Sequence, residues 1–252
     1  MEKALLALMI LCAAPGTIRA EDAPLRYIAT IELAARLNAP RPPESNLTVI
    51  DARSGVEYDE AHIPSAINIP AEKVAALLPR LVKDRSGELV FYCNGPKCTK
   101  SQKAARTAIA LGYGNVVEYN EGMPGWGKAR MPIAGSPLPP VDLPAIAPED
   151  LVAMLKSGNR PLLLDLRDEQ EFKTYHLKGA VNIPLDDLAK SAKRLPKDRE
   201  IVLACHAGQQ SIVGARVLHQ LGIERMRRLD GGIVAWQQKG LPLESAAVTA
   251  AR

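Results

Sequence analysis

An internal duplication is the strongest constraint on what this chain can become. The stretch from Asp51 to Pro70 returns 114 positions later as Asp165 to Pro184, with eight of its twenty residues identical: Asp51/Asp165, Arg53/Arg167, Glu57/Glu171, His62/His176, Ala66/Ala180, Asn68/Asn182, Ile69/Ile183 and Pro70/Pro184. Each copy then runs through an apolar segment that stops on a cysteine, Cys93 or Cys205, and the only two tryptophans, Trp126 and Trp236, fall at matching places. At 252 residues the chain has the length of one or two domains. The repeat decides for two, each arranged around a thiol.

The offset between copies shrinks along the chain, from 114 before the cysteines to 112 at them and 110 from Ser101/Ser211 onward. The last step lies between cysteine and serine, six positions apart in the second copy and eight in the first. The two units therefore share a scaffold and differ in the loop beside the thiol.

Short apolar runs at 47–51, 89–93, 162–165 and 201–205 have the form of buried parallel strands. After each cysteine come a polar, Gly-containing loop, then Ser101 or Ser211 and an amphipathic stretch closed by Gly112 or Gly222. With serine as N-cap and glycine as C-cap, these are helices of about ten residues. Such alternation predicts an α/β fold, with two tandem domains that are each a parallel sheet with helices on both faces. Domain one is expected over 21–132 and domain two over 145–245, with a tail over 246–252. Five prolines within 132–144 make the segment between them, 133–144, a stiff, extended linker.

An apolar run of eleven residues from Ala4 follows Lys3 and gives way to Pro15-Gly16 and then Ala20 before Glu21-Asp22. It is too short to span a bilayer, and its flanks are those of a secretory signal over 1–20. The mature protein is expected to be periplasmic or secreted, without stable membrane insertion after signal removal. Export leaves three cysteines, an odd number that points to at least one free thiol. A net charge of +4, without a basic stripe, argues against nucleic acid as a partner. Zinc is disfavoured, because Cys93 and Cys98 lack ligand spacing and accompanying His/Cys pairs. No metal or cofactor is implied.

In open α/β sheets ligands bind beyond the carboxyl ends of the strands, where Cys93 and Cys205 are placed. The loop after each runs into a helix N-terminus, whose free N–H groups favour negative charge, so both thiols are expected to be ionised and to face an anion-sized bowl.

Taken in order, Asp-x-Arg (Asp51/Arg53, Asp165/Arg167), His-x-x-x-Ala-x-Asn-Ile-Pro (from His62 and His176), the strand-ending cysteine and Gly-x-x-x-Trp (Gly122/Trp126, Gly232/Trp236) resemble the rhodanese sulfurtransferases over both domains. The resemblance implies that the cysteine takes the outer sulfur of a small anionic donor such as thiosulfate. It holds that sulfur as a persulfide and passes it to cyanide or a thiol acceptor. The corresponding loops are His206, Ala207, Gly208, Gln209, Gln210 and Ser211 in domain two, and Asn94, Gly95, Lys97 and Lys100 in domain one. Two departures stand out. Gln210 occupies a place where an arginine is common, and the first loop is two residues longer and holds Cys98. That thiol either bridges or resolves Cys93, or is a small buried thiol. His62 and His176 are expected to make structural hydrogen bonds, the Asp-x-Arg residues to form internal ion pairs, His206 to point away from the bowl, His219 to lie on a helix surface, and both tryptophans to pack under the sheet edge. A cysteine phosphatase would need an arginine late in the loop, which neither loop has. A thiol redox or sulfur-relay protein using Cys93/Cys98, or a binding module without catalysis, are the remaining alternatives.

Overall fold

The computed structural model describes residues 24–39 and 46–245; the expected signal over 1–20 and the tail over 246–252 lie outside them. Domain one contains β1 (Arg26–Tyr27), α1 (Thr30–Asn38), β2 (Leu47–Asp51), α2 (Gly55–Glu60), β3 (Ile67–Asn68), α3 (Val74–Leu81), β4 (Glu88–Tyr92), α4 (Lys100–Ala110), β5 (Asn115–Tyr119) and α5 (Gly122–Lys128). Domain two repeats the series as β6 (Ala145–Ile146), α6 (Pro148–Lys156), β7 (Leu162–Asp165), α7 (Glu169–Thr174), β8 (Val181–Asn182), α8 (Leu188–Ser191), β9 (Ile201–Ala204), α9 (Gln209–Gln220), β10 (Met226–Leu229) and α10 (Gly232–Gln238). Each set of strands forms one parallel five-stranded sheet, ordered β1-β5-β4-β2-β3 and β6-β10-β9-β7-β8. The cysteine-bearing strands β4 and β9 are central in both.

Alternation along the strands explains the layers. In domain one, Ile50, Leu89 and Phe91 face Leu78, Ala104 and Ala108 of α3 and α4, whereas Val49, Val90 and Tyr92 face Leu33 of α1 and Trp126 of α5. Successive side chains enter opposite cores, so near-continuous apolar runs are what such a sheet requires. Trp126 and Trp236 are buried, and their indole N–H groups donate to the carbonyls of Pro132 and Pro242.

The recurring Asp-x-Arg fixes the turn after β2 and β7. Arg53 donates from Nε and Nη2 to Asp51 and from Nη2 to the Ala61 carbonyl (2.6 Å); Arg167 does the same with Asp165 and the Tyr175 carbonyl. Asn68 and Asn182 donate to the backbone carbonyls of the same Asp and Arg residues, at 2.9–3.0 Å. His62 and His176 carry the expected structural bonds, Nδ1 to the carbonyls of Tyr58 and Phe172, and stack on those rings. His219 is exposed on α9.

The connecting segment has no helix or strand of its own and is tied down at both ends. Ala134 bridges to His62, and the Leu138 N–H donates to Glu60. Val141 and Leu143 pack against the core of domain two, and so does Val56 from α2 of domain one. The Val56 N–H donates to Asp186, and Arg216 of α9 pairs with Glu60 at 2.6 Å. The two domains are thus docked through α2 and α9, which places their loops face to face.

Candidate active site

Cys93 and Cys205 lie one residue past β4 and β9, at the carboxyl ends of the central strands, and both are buried. Behind each, a glycine at the start of the last helix approaches the cysteine carbonyl. The N–H of Met123 donates to the Cys93 carbonyl (3.0 Å) and that of Ile233 to the Cys205 carbonyl (2.9 Å). A Cβ on Gly122 would lie 2.2 Å from the Cys93 oxygen, and one on Gly232 2.4 Å from the Cys205 oxygen, with φ of 58° and 62°. Only glycine tolerates both that approach and that backbone, which is why Gly-x-x-x-Trp recurs. Gly232→Ala should therefore destabilise the protein by about 1–3 kcal/mol or more and displace the thiol loop. Urea unfolding together with the rate of Cys205 alkylation checks this, and an unchanged midpoint would contradict it.

Ser101 and Ser211 sit inside the first turns of α4 and α9 and do not cap them; the N-caps are Thr99 and Gly208. The Ser211 hydroxyl is committed to sulfur instead, and that of Ser101 lies between sulfur and a carboxylate. Ser101 Oγ lies 3.2 Å from Cys93 Sγ and also donates to Glu118 (2.7 Å), while Ser211 Oγ donates to Cys205 Sγ at 3.3 Å. The Gly208 N–H donates to Cys205 Sγ at 3.1 Å. Gly112 and Gly222 do close the helices, with φ of 87° and 78°.

The two thiols do not titrate alike. Burial pushes the Cys93 thiol up, but hydrogen bonds from Cys98, from the Ser101 hydroxyl and from the backbone at Ser101 and Asn94 outweigh it, leaving Cys93 below its ordinary value. Burial also pushes Cys205 up, and there the bonds from Ser211 and Gly208 do not compensate, with the Glu57 carboxylate adding repulsion. The expectation that helix N-termini ionise both thiols is corrected for Cys205, because desolvation outweighs the backbone donors. Cys98 is held well above its ordinary value by its hydrogen bond with Cys93, by burial and by the facing charge. Among the described residues all three cysteines are free.

The loops meet in one chamber. It holds about 30 Å³ of free space and is lined by Asn94, Cys98 and Lys100 of domain one and by Glu171, Cys205 and His206 of domain two, with Thr99, Ala207, Gln209 and Gln210 completing the wall. Of the other loop residues singled out in the sequence, Gly95 packs towards Glu121 and Pro124 of its own domain, Lys97 is exposed, and Gly208 and Ser211 lie beneath the sulfur. His206 does not turn away as expected. The strand ends at Ala204 and Gly208 takes φ 100°, so the chain curls and brings the imidazole to the chamber. Its Nδ1 is buried without a hydrogen-bond partner, and burial lowers its pKa, against a bond with the Lys97 backbone.

Two carboxylates cross the domain boundary, and the sequence reading assigned neither a role. Glu57, at N3 of α2, forms a capping box with Ser54, accepts from Asn94 and accepts from Gln210 Nε2 of the other domain at 3.2 Å. Burial raises its pKa, but Arg53, Lys100 and these donors outweigh that, so it stays below the usual carboxylate range. Glu171, its counterpart, lies in the chamber wall with Oε2 buried and unpartnered. Burial pushes it up to about 7, opposed by the Lys100 charge and reinforced by Asp168. Lys100 itself stays above its ordinary value: burial lowers it, but Glu57, Glu171 and Asp168 (3.8 Å) face it. The loop-end pair Lys100/Gln210 and the helix pair Glu171/Glu57 are thus exchanged across a pseudo-two-fold arrangement.

Glu171 makes stability depend on pH. Between about 4.5 and about 7 it is protonated in the folded chain and ionised in the unfolded one, so its stabilising contribution is complete below 4.5 and is lost as pH rises through 7. Glu171→Gln, which mimics the protonated form, should gain on the order of 2 kcal/mol over the wild type at pH 8 and nothing near pH 4. Equal gains at both pH values in denaturant unfolding would contradict the assignment.

Residues 30–129 and 147–239 each match the rhodanese-like domain. The chain belongs to the rhodanese-like family. A sulfurtransferase of Allochromatium vinosum is 33% identical over 95 residues, covering 38% of this chain and 89% of that relative. The thiosulfate sulfurtransferase GlpE of Vibrio cholerae is 30% identical over 84 residues, covering 33% of this chain and 79% of its own length. A crystal structure of thiosulfate sulfurtransferase from Pseudomonas aeruginosa aligns over 88% of this chain and 44% of that one, at 24% identity and a TM-score of 0.43. Either single-domain relative thus corresponds to about one rhodanese-like domain here, and the shared chamber is made by two. No helix among the described residues is long and apolar enough to cross a membrane.

Proposed function

We propose that the protein is a sulfurtransferase that carries sulfane sulfur as a cysteine persulfide, with Cys205 as the sulfur that meets the donor. The observation that carries this reading is that Cys205 lines the chamber, with its Sγ cupped by the Gly208 N–H and the Ser211 hydroxyl at the start of α9. The family's sulfurtransferase relatives support the same chemistry. Cys205 attacks the outer sulfur of a small anionic donor such as thiosulfate, sulfite leaves, and the persulfide passes its outer sulfur to cyanide or a thiol. The donors under the sulfur stabilise the charge that collects there. Lys100 supplies the cation that Gln210 does not, from the opposite domain. No metal or cofactor has a part in this scheme. Export to the periplasm or beyond, proposed on the leader-like N-terminus, would put the enzyme among extracytoplasmic sulfur anions.

Thiocyanate formation from thiosulfate and cyanide tests the reading. Wild type should turn over, and the Cys93→Ser/Cys205→Ser double variant should not. Turnover that survives the double replacement overturns it. Insulin reduction without thiocyanate formation would favour the thiol redox alternative, which the Cys93–Cys98 hydrogen bond makes worth measuring.

A further inference from the structure

The three thiols divide the requirements of sulfur chemistry among them. Cys205 faces the chamber, in surroundings that disfavour its charge. Cys93 has its pKa lowered but is buried and absent from the chamber wall, with its Sγ against the Ser101 hydroxyl and 3.4 Å from the Cys98 carbonyl. Cys98 belongs to both groups: it lines the chamber together with Cys205, and its carbonyl lies 3.4 Å from Cys93 Sγ. The two-residue expansion of the first loop is what places this third sulfur there.

We propose that the chamber is a transfer station between the domains, in which the outer sulfur of a Cys205 persulfide moves to Cys98 without entering solvent. This rests on the sulfurtransferase reading and extends it to a second carrier on the same chain. Cys93 takes the Cys98 proton as Cys98 Sγ attacks the outer sulfur of Cys205–S–SH. The bond from Cys205 to that sulfur breaks, the bond from Cys98 to it forms, and the proton it carried goes to Cys205. The products are Cys205–SH, Cys98–S–S⁻ and Cys93–SH, so charge, protons and sulfur balance and no oxidant or reductant is consumed. Cys93 Sγ, next to the Cys98 carbonyl and with its pKa lowered from the ordinary value, stands where a base for the Cys98 thiol is needed. Cys98 and Cys205 line one chamber, which brings the nucleophile and the outer sulfur into the same space.

The test uses the full chain loaded with thiosulfate whose outer sulfur is isotopically labelled, trapped by alkylation and mapped by peptide mass spectrometry. In wild type the label should reach both Cys205 and Cys98. In Cys98→Ser and Cys98→Ala it should stay on Cys205, and in Cys205→Ser label on Cys98 should fall at least about tenfold, because an intramolecular step has been removed. Mixing the Cys205→Ser and Cys98→Ser proteins should not restore it. Label confined to Cys205 in wild type, equal labelling of Cys98 in Cys205→Ser, or full restoration on mixing overturns the relay and leaves the sulfurtransferase reading standing. No label on any cysteine overturns both. Cys93→Ser should slow the appearance of label on Cys98 relative to that on Cys205; an unchanged ratio would remove Cys93 as the base.

Discussion

Cys205→Ser should lower thiocyanate formation from thiosulfate and cyanide by on the order of 10³-fold or more, whereas Cys93→Ser should leave most of it. The asymmetry follows from position. On the proposed reading the donor meets Cys205, which lines the chamber, whereas Cys93 is buried outside that lining. Because burial holds the Cys205 thiol above its ordinary value, the rate at subsaturating thiosulfate should keep climbing with pH through the usual thiol range rather than level off near neutrality. Glu57 is one cause, so Glu57→Gln should move the rising limb to lower pH. Equal losses in the two single variants, or a rate already flat above pH 7, would contradict this account of the two thiols.

Arg167→Met should cost domain two about 3–5 kcal/mol. The side chain is fully buried, its Nε and Nη2 hold both oxygens of an equally buried Asp165, and Nη2 also donates to the Tyr175 carbonyl. Removing the cation leaves a buried carboxylate with only the backbone N–H of residue 167 as donor, and the turn that carries α7 and Glu171 loses its anchor. Replacing the pair together, as Asp165→Leu/Arg167→Met, should recover part of the loss, because no buried charge is then stranded. Breaking the exposed Lys173–Glu169 pair should change stability by well under about 1 kcal/mol. Calorimetry of the four proteins decides, and a loss in Arg167→Met no larger than in the surface variant would show that the buried pair does not hold the turn.

Much of the fold was legible because its determinants are local and duplicated. The period of the strands, the glycine closing each long helix, the Asp-x-Arg pairs and the histidine hydrogen bonds all act within about a dozen residues of where they are written, and the repeat wrote each twice. Sulfur at the ends of central strands was legible for the same reason. What was not legible depends on docking. Gln210 and Glu57 are 153 positions apart, and their bond exists only because α2 packs on α9. Glu57 and Glu171 recur in both copies, and that recurrence of a charge amid a buried turn was the available signal. The repulsion that Glu57 adds at Cys205 is also a product of docking, since Glu57 belongs to the other domain. His206 was misplaced for a smaller reason: alternation was carried past the end of β9, where a left-handed Gly208 lets the chain curl. Ser101 and Ser211 were rightly placed at helix starts, but sulfur, joined at Ser101 by the Glu118 carboxylate, competes with the backbone for their hydroxyls and wins.

The most direct measurement is the intact mass of the protein after incubation with thiosulfate and no acceptor, followed by mapping of the modified peptide. The account predicts a gain of sulfur that maps to Cys205 and, by relay, to Cys98, is lost on adding cyanide and is at least about tenfold lower in Cys205→Ser. An unchanged mass, or a gain that persists in full when Cys205 is replaced, would contradict it.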